Sequence, residues 1–496
     1  MKKYSKIISS FLIAGLIIIS GCTKLDEEYF DQIPSELYPE NDEQVATLTV
    51  NAYKRLQNMA DDNGWWFLAQ EISTDEICGP TRGADWYDGG KWVDVYQHRW
   101  TNDTESVNRM WGLFWDGINE CNRTIGTLRN IGDNEEILKK IGELEVLRSF
   151  FYYLLIDNYG NVPYVTMVMD EGFQPVKVER SVIYDSLVNV VEKNLHYLNR
   201  GDLKYMATRN MAFALLAKLH LNAEIYTGTE HWAEAGQYCD SVMAGPYHLA
   251  SDVKAPFITE NQNSSEIIFS IPYDEDNFQG FRLHMRTLHY QSNLTFDMSV
   301  GPWNGFAVVP THFDTYQEID LRRDAHFIYG PQFASDGSPI IESILNEPLD
   351  IDPHLPALSM TSGFSDKQIR TSGARIGKYE IKMGAKENLS NDFPLFRLSD
   401  FYLMKAETEI RLGGNGDQWV NPIRQRAGVA PYSGCSLTQL LEERGREMFV
   451  EGHRRQDLIR FGKWEGSWWE KEAHGKEKRT FPIPQWAIDG NPNLAN

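Results

Sequence analysis

The sequence predicts a mainly α-helical protein, a scaffold of paired helices carrying a loop-rich region with a few short strands. Three observations predict it. Apolar residues recur at three- and four-residue steps over long stretches before residue 246 and again after 394. These stretches come in twos with short connections, at spacings near the 34 residues of tetratricopeptide repeats, which points to helical hairpins stacked as a solenoid. Between them, from about 247 to 394, short apolar runs such as "SEIIFSIPY" alternate with Pro, Gly, Asn and Asp, the pattern of loops and short strands.

Taken in order, the chain opens with Lys2, Lys3 and Lys6, an apolar run from Ile7 to Ile19, and "ISGC" ending at Cys22. The run is too short to span a bilayer and has the layout of a secretory signal peptide over residues 1–21. The small residues before Cys22 resemble a bacterial lipobox, which makes Cys22 the expected lipidation site. Residues 22–40 mix acids with Pro34 and Pro39 and read as a tether leading away from the lipid. The rest, 41–496, is expected to be one domain, with its scaffold at about 41–246 and 395–464.

Asn41 or Asp42 can cap a first helix through "DEQVATLTVNAYKRLQ". Helical pattern returns at 106–128 and at 134–160, where Ile137, Ile141, Leu144, Leu147, Phe151 and Leu154 hold one stripe up to Gly160. Such a stripe is core. Further amphipathic segments lie near 180–199, 207–226 and 231–244, and then at 394–414, in "WVNPIRQRAG", and at 436–452.

The 496 residues are 42% hydrophobic and 24% charged, values of a globular chain. A formal charge of −22 repels nucleic acid and anionic headgroups, so nucleic-acid binding is disfavoured. Cys78, Cys121, Cys239 and Cys435 are far apart without a CxxC pair, which favours free thiols over a zinc site or a disulfide framework.

Common catalytic signatures do not occur. GxSxG, GxxxxGK[ST], GxGxxG and HExxH are missing, and no His stands four residues from another, so no catalytic residue, metal or cofactor is assigned. "EERGREMFVEGHRRQDLIRFGKW" (442–464) is dense in acid and Arg. Glu442 with Arg446, and Glu451 with Arg455, stand four apart on an expected helix ending at Gly452, where opposite charges pair. A structural charge network is the reading preferred over a catalytic one.

Several stretches together resemble the SusD/RagB family of outer-membrane glycan-binding lipoproteins. They are the lipobox at Cys22, "LRSFFYYLLIDNYGNVPYV" (147–165), "NMAFALLAKLHLNAEIY" (210–226), "FRLSDFYLMKAETEIRLGG" (396–414), "NPIRQRAGV" (421–429), "ERGREMFVEGHRRQDLIRFGKW" (443–464) and "FPIPQWAIDGNPNL" (481–494), in the family's order. The resemblance implies a tetratricopeptide-like scaffold of four helix pairs with an irregular ligand-binding portion. It also implies a non-enzymatic protein, lipid-anchored at the outer-membrane surface, that binds oligo- or polysaccharide and delivers it to a SusC-like, TonB-dependent transporter. A surface glycoside hydrolase and a helical-repeat scaffold for peptide or protein are the rival readings.

A sugar presents C–H patches on its ring faces and hydroxyls at its rim, so an exposed Trp or Tyr can stack on it while Asp, Asn and Arg bind hydroxyls. "TRGADWYDGGKW" (81–92) sets Trp86 and Tyr87 among Gly and acids, which predicts exposure and ligand contact for both. Trp92, Trp111 and Trp115 are expected to pack, as is Trp66. Asp75 and Arg82 are candidates for hydroxyl contacts by proximity and by the family's use of this region. In the loop-rich portion, "GPWNGF" (301–306) offers Trp303 and Asn304 with the same chemistry.

Overall fold

The computed structural model describes residues 42–60 and 66–495. The expected leader, Cys22 and the tether lie outside them. The chain falls into two units, Met1–Val45 and Ala46–Asn496, and of the first only the start of the helix Asp42–Lys54 is described.

In the second unit, eight helices among the described residues make four consecutive pairs: α1 (Glu105–Ile131) with α2 (Glu135–Tyr159), α3 (Arg180–Asn194) with α4 (Arg209–Leu221), α5 (Trp232–Met243) with α6 (Leu398–Arg411), and α7 (Asp417–Arg426) with α8 (Leu437–Glu447). Each pair stacks on the next, α2 packing on α3, α4 on α5, and α6 on both α7 and α8. The tetratricopeptide-like paired-helix scaffold is therefore present, and the loop-rich chain enters as an insertion between the two helices of the third pair.

Local chemistry explains the elements. The Asn134 side chain accepts from the Ile137 N–H to cap α2, Glu135 and Glu136 sit at its positive end, and Gly160 closes it at φ +73°. All six residues of the predicted stripe are buried. The two longest helices approach closely because α1 carries Gly117, where a Cβ would lie 2.4 Å from the Phe151 ring. At the other end, Leu403, Ala406, Val420, Ile423, Leu440 and Met448 form one apolar cluster joining α6, α7 and α8.

The insertion is tied back by short strands. β3 (Ile267–Ile271) pairs antiparallel with β6 (Phe393–Arg397), closing its two ends together. The segment before α1 is knitted into it as well: β1 (Ile77–Cys78) pairs with β4 (Ala307–Val308), and β2 (Thr81–Arg82) runs parallel to β5 (Ser359–Met360). Trp66, Trp92 and Trp111 are buried as expected, and Cys78, Cys121, Cys239 and Cys435 are buried free thiols. No helix among the described residues is long and apolar enough to cross a membrane.

The charged motif is a buried network, with different pairs from those the spacing suggested. α8 ends at Glu447, not at Gly452, so Glu451 and Arg455 never share a helix. Arg446 turns to Glu443 at 2.8 Å, while Glu442 is exposed. Arg455 instead pairs with Asp157, Arg444 with Asp400 and Asp457, and Arg460 with Glu407 and Asp457. Arg397 at the end of β6 meets Glu266, Glu447 and Glu451, and Lys378 of the insertion also reaches Glu451 at 2.5 Å. These charges clamp insertion, last helix pair and α2 together, which accounts for the acid and Arg density without catalysis.

Candidate functional site

The loop after β2 is built around one buried indole. Arg82 and Asp85 exchange backbone hydrogen bonds across a tight turn, and Trp86 follows at φ +58°, a conformation that costs a non-glycine residue about 1–3 kcal/mol. Tertiary contacts offset it. The Trp86 Nε1–H donates to the Trp303 carbonyl at 2.7 Å, and its ring packs on Phe306 and Trp92 with centroids 5.2 and 6.1 Å away. Beneath it lies Gly305, where a Cβ would stand 2.2 Å from the indole. The expected exposure of Trp86 is thus corrected: it is 9% exposed and anchors the loop. Tyr87, next in the chain, is thereby turned outward and is 59% exposed.

Gly305→Ala is expected to unseat this anchor. Fitting a methyl group into packed space costs roughly 1–3 kcal/mol, and Trp86 emission should shift to the red as its ring meets water. Unchanged emission and an unchanged urea midpoint would contradict the packing.

Three other expected contacts are committed inside the protein. Asp75 accepts from Arg454 Nε and Nη2 at 2.7 and 2.8 Å; burial pushes its carboxyl up, and the guanidinium outweighs that to hold it below the usual range. Arg82 is buried and donates to the carbonyls of Gly305, Ile369 and Ser372, its pKa lowered by desolvation to about 10. Asn304, fully buried at φ +53°, donates to the Arg370 carbonyl and accepts from Arg375. These three hold the loops: Asp75, half-buried, is bound to Arg454, and Arg82 and Asn304 are buried. The expected hydroxyl contacts of Asp75, Arg82 and Asn304 are corrected to contacts within the protein.

Trp303 is half-buried, with the guanidinium carbons of Arg286 and Arg282 at 5.5 and 5.9 Å from its ring. Its carbonyl receives the Trp86 Nε1–H, so the 82–90 loop and the 301–306 loop are joined. The sequence reading missed Tyr290. Its O–H donates to Asp85, next to Trp86, and the Arg370 guanidinium lies 4.9 Å over its ring. Burial first, and then Asp85, push the Tyr290 phenol up to about 12, so it remains a neutral donor at physiological pH. A Tyr followed by Gln and Ser in a loop-rich stretch was the available signal. The loops that carry Tyr87, Tyr290 and Trp303 are thus joined through Asp85 and Trp86, and Arg370, itself paired with Glu342, lies over the Tyr290 ring.

Elsewhere, Glu71 and Glu76 stand out as perturbed carboxyls. Burial raises Glu71 to about 8 and Glu76 well above the usual range, the latter helped by Glu71. Both are sealed from solvent and receive the N–H groups of Gly452 and Val450, which makes them supports of that turn. Among the described residues no group of three or more His, Cys, Asp or Glu is placed to hold a metal.

Comparison with known proteins bears on the whole chain. The family described as "Starch-binding associating with outer membrane" matches residues 25–221, and the "SusD family" matches 355–496. The chain is 23% identical over 488 residues to the starch-binding protein SusD of Bacteroides thetaiotaomicron, covering 86% of this chain and 84% of that one. It is 24% identical to the SusD-like protein P25 of Formosa agariphila, over 74% of each. Among solved structures, surface glycan-binding protein A from Bacteroides thetaiotaomicron in complex with laminarihexaose superposes with a TM-score of 0.72 at 21% identity, covering 90% of this chain and 97% of that one. A SusD superfamily protein from Parabacteroides distasonis gives 0.74 at 18%, covering 93% and 99%. Matched at both ends by models of one kind, and sharing the paired-helix fold with solved members, the chain belongs to the SusD/RagB family.

Proposed function

We propose that the protein binds oligo- or polysaccharide without cleaving it, at the patch formed by Tyr87, Tyr290 and Trp303. The observation that carries this reading is the inversion at residues 86 and 87: an indole is buried to fix a loop whose next residue is a rigid, solvent-facing ring. Such a ring suits the C–H face of a sugar, with Asp85 and Arg370 placed for hydroxyls. Trp86, Asp75, Arg82 and Asn304 act behind them as positioning residues. Supporting the reading are the relatives' own descriptions as starch- or glycan-binding proteins.

The finer assignment is delivery of the captured glycan to a SusC-like, TonB-dependent transporter from an outer-membrane position, held by lipid on Cys22. The lipobox pattern and the matched family's description support it. Calorimetry against a polysaccharide panel tests the binding step. Tyr87→Ala and Trp303→Ala are each expected to weaken the best ligand by tenfold or more, about 1.4 kcal/mol, as for a central aromatic anchor. Wild-type affinity in both variants would remove this site, and silence across the whole panel would remove the function.

A further inference from the structure

A cavity of about 780 Å³ opens between the C-terminal end of α2, the start of α3 and the segment 477–495, and none of its lining residues belongs to the patch described above. Among the described residues its wall combines Pro482, Ile483 and Ile488 with three cations, Lys177, Arg180 and Lys478, against the single acid Glu477. In a chain of net charge −22 this is a local reversal of sign. An anionic ligand is repelled by such a surface in general and is admitted only where cations face inward.

The cations are available. Among the described residues neither Lys177 nor Lys478 forms an ion pair, and the Lys478 ammonium rests 5.5 Å over the Trp100 ring. Arg180 is held by stacking on Tyr226 at 5.2 Å and by donation of one Nη to the Ile225 carbonyl. The Asn161 Oδ1 accepts the Arg180 backbone N–H at 2.9 Å, pinning the first turn of the 15-residue helix α3, whose positive end adds to the same field. Glu477, which lines the same cavity, accepts the Gly475 N–H of its own loop at 3.3 Å. A volume of this size suits two or three sugar rings, and mixed apolar and polar walls suit a saccharide better than a bare inorganic ion.

We propose that this cavity is a second binding site, for an acidic saccharide bearing a carboxylate or sulfate that Lys177, Lys478 and Arg180 receive. The saccharide class rests on the glycan-binding reading; the anion preference rests on the cavity alone. The test is calorimetry of the purified full chain with a pectin-derived oligogalacturonate, a carrageenan-derived sulfated oligosaccharide and neutral maltohexaose, in wild type, in the Lys177→Met/Lys478→Met double variant and in Tyr87→Ala.

At least one acidic probe is expected to bind wild type and Tyr87→Ala equally, to lose tenfold or more in the double Met variant, and to recover in Lys177→Arg/Lys478→Arg. Which probe binds identifies the anion. Any maltohexaose binding should be unchanged by the Lys substitutions. The proposal is overturned if neither acidic probe binds, or if the double Met variant binds them as tightly as wild type. Because these readouts are independent of Tyr87, failure of the aromatic patch is seen separately, as neutral binding indifferent to Tyr87→Ala.

Discussion

Arg397→Met is expected to destabilise the protein by about 3–5 kcal/mol, enough to abolish folding in a marginally stable chain. Arg397 is fully buried at the junction of β6 and α6, and its guanidinium meets three carboxylates: Glu451 at 2.5 Å, Glu447 at 2.8 Å and Glu266 at 3.3 Å. Met preserves the side-chain length, so the loss is of charge rather than packing. Arg426 still reaches Glu266 and Glu447, and Lys378 still reaches Glu451. Arg322 also keeps its contact with Glu447 at 3.1 Å, but Glu266 and Glu451 would each lose one of two cations in a buried space, and an under-compensated buried charge costs far more than a surface pair contributes. Urea denaturation is the measurement. The control is Glu442→Ala in the same motif, an exposed position where a change within about 0.5 kcal/mol is expected. A small effect at Arg397, or an equal effect at Glu442, would refute the network.

Acidification is expected to unfold the protein between about pH 5.5 and 4, well above the range in which carboxylates alone would act. Seven histidines are buried and held neutral, chiefly by desolvation: His98 is pushed down to about 2, His289 and His312 to about 3, His220, His284 and His453 to about 4, and His326 well below its ordinary value. In the unfolded chain each takes up a proton near pH 6.5. The unfolded state therefore binds more protons below that pH, and stability falls as pH falls.

Glu71 and Glu76 work in the opposite direction, staying protonated in the folded state and costing stability as pH rises above about 4.5, the unfolded range. Seven groups against two leave about five protons near pH 5.5, on the order of 7 kcal/mol per pH unit. Below about pH 4.5 the paired carboxylates join the loss. Burial raises them, but their Arg partners outweigh it and hold Glu443 and Asp457 at about 2, so their contribution disappears as pH falls toward that value. The check is the urea midpoint as a function of pH. A midpoint at pH 4.5 equal to that at pH 7 would be incompatible with neutral buried histidines.

Much of the architecture was legible in local pattern. The α2 stripe, its Asn134 cap and its Gly160 stop depend on residues within a few positions of one another, and the switch to Pro- and Gly-punctuated chain after 246 marked the insertion. Most of the ordered motifs point to the family because they lie on the helices of the scaffold itself. The charge network was legible as a network, but its partners were not. Spacing along a helix suggested Glu451 with Arg455, whereas Arg455 finds Asp157, 298 residues away in sequence.

The candidate site divides in the same way. The sequence by itself determined that large aromatic groups sit in a glycine-rich loop at 81–92, and that a second such loop lies at 301–306. Only the tertiary structure decided which ring faces water. Trp86 turns inward because Gly305 leaves room for an indole and the Trp303 carbonyl, 217 residues away in sequence, needs a donor. Tyr87 turns outward as a consequence, and Tyr290 enters the patch because its phenol reaches Asp85. Exposure depends on what lies across a contact, and local sequence carries no record of that partner.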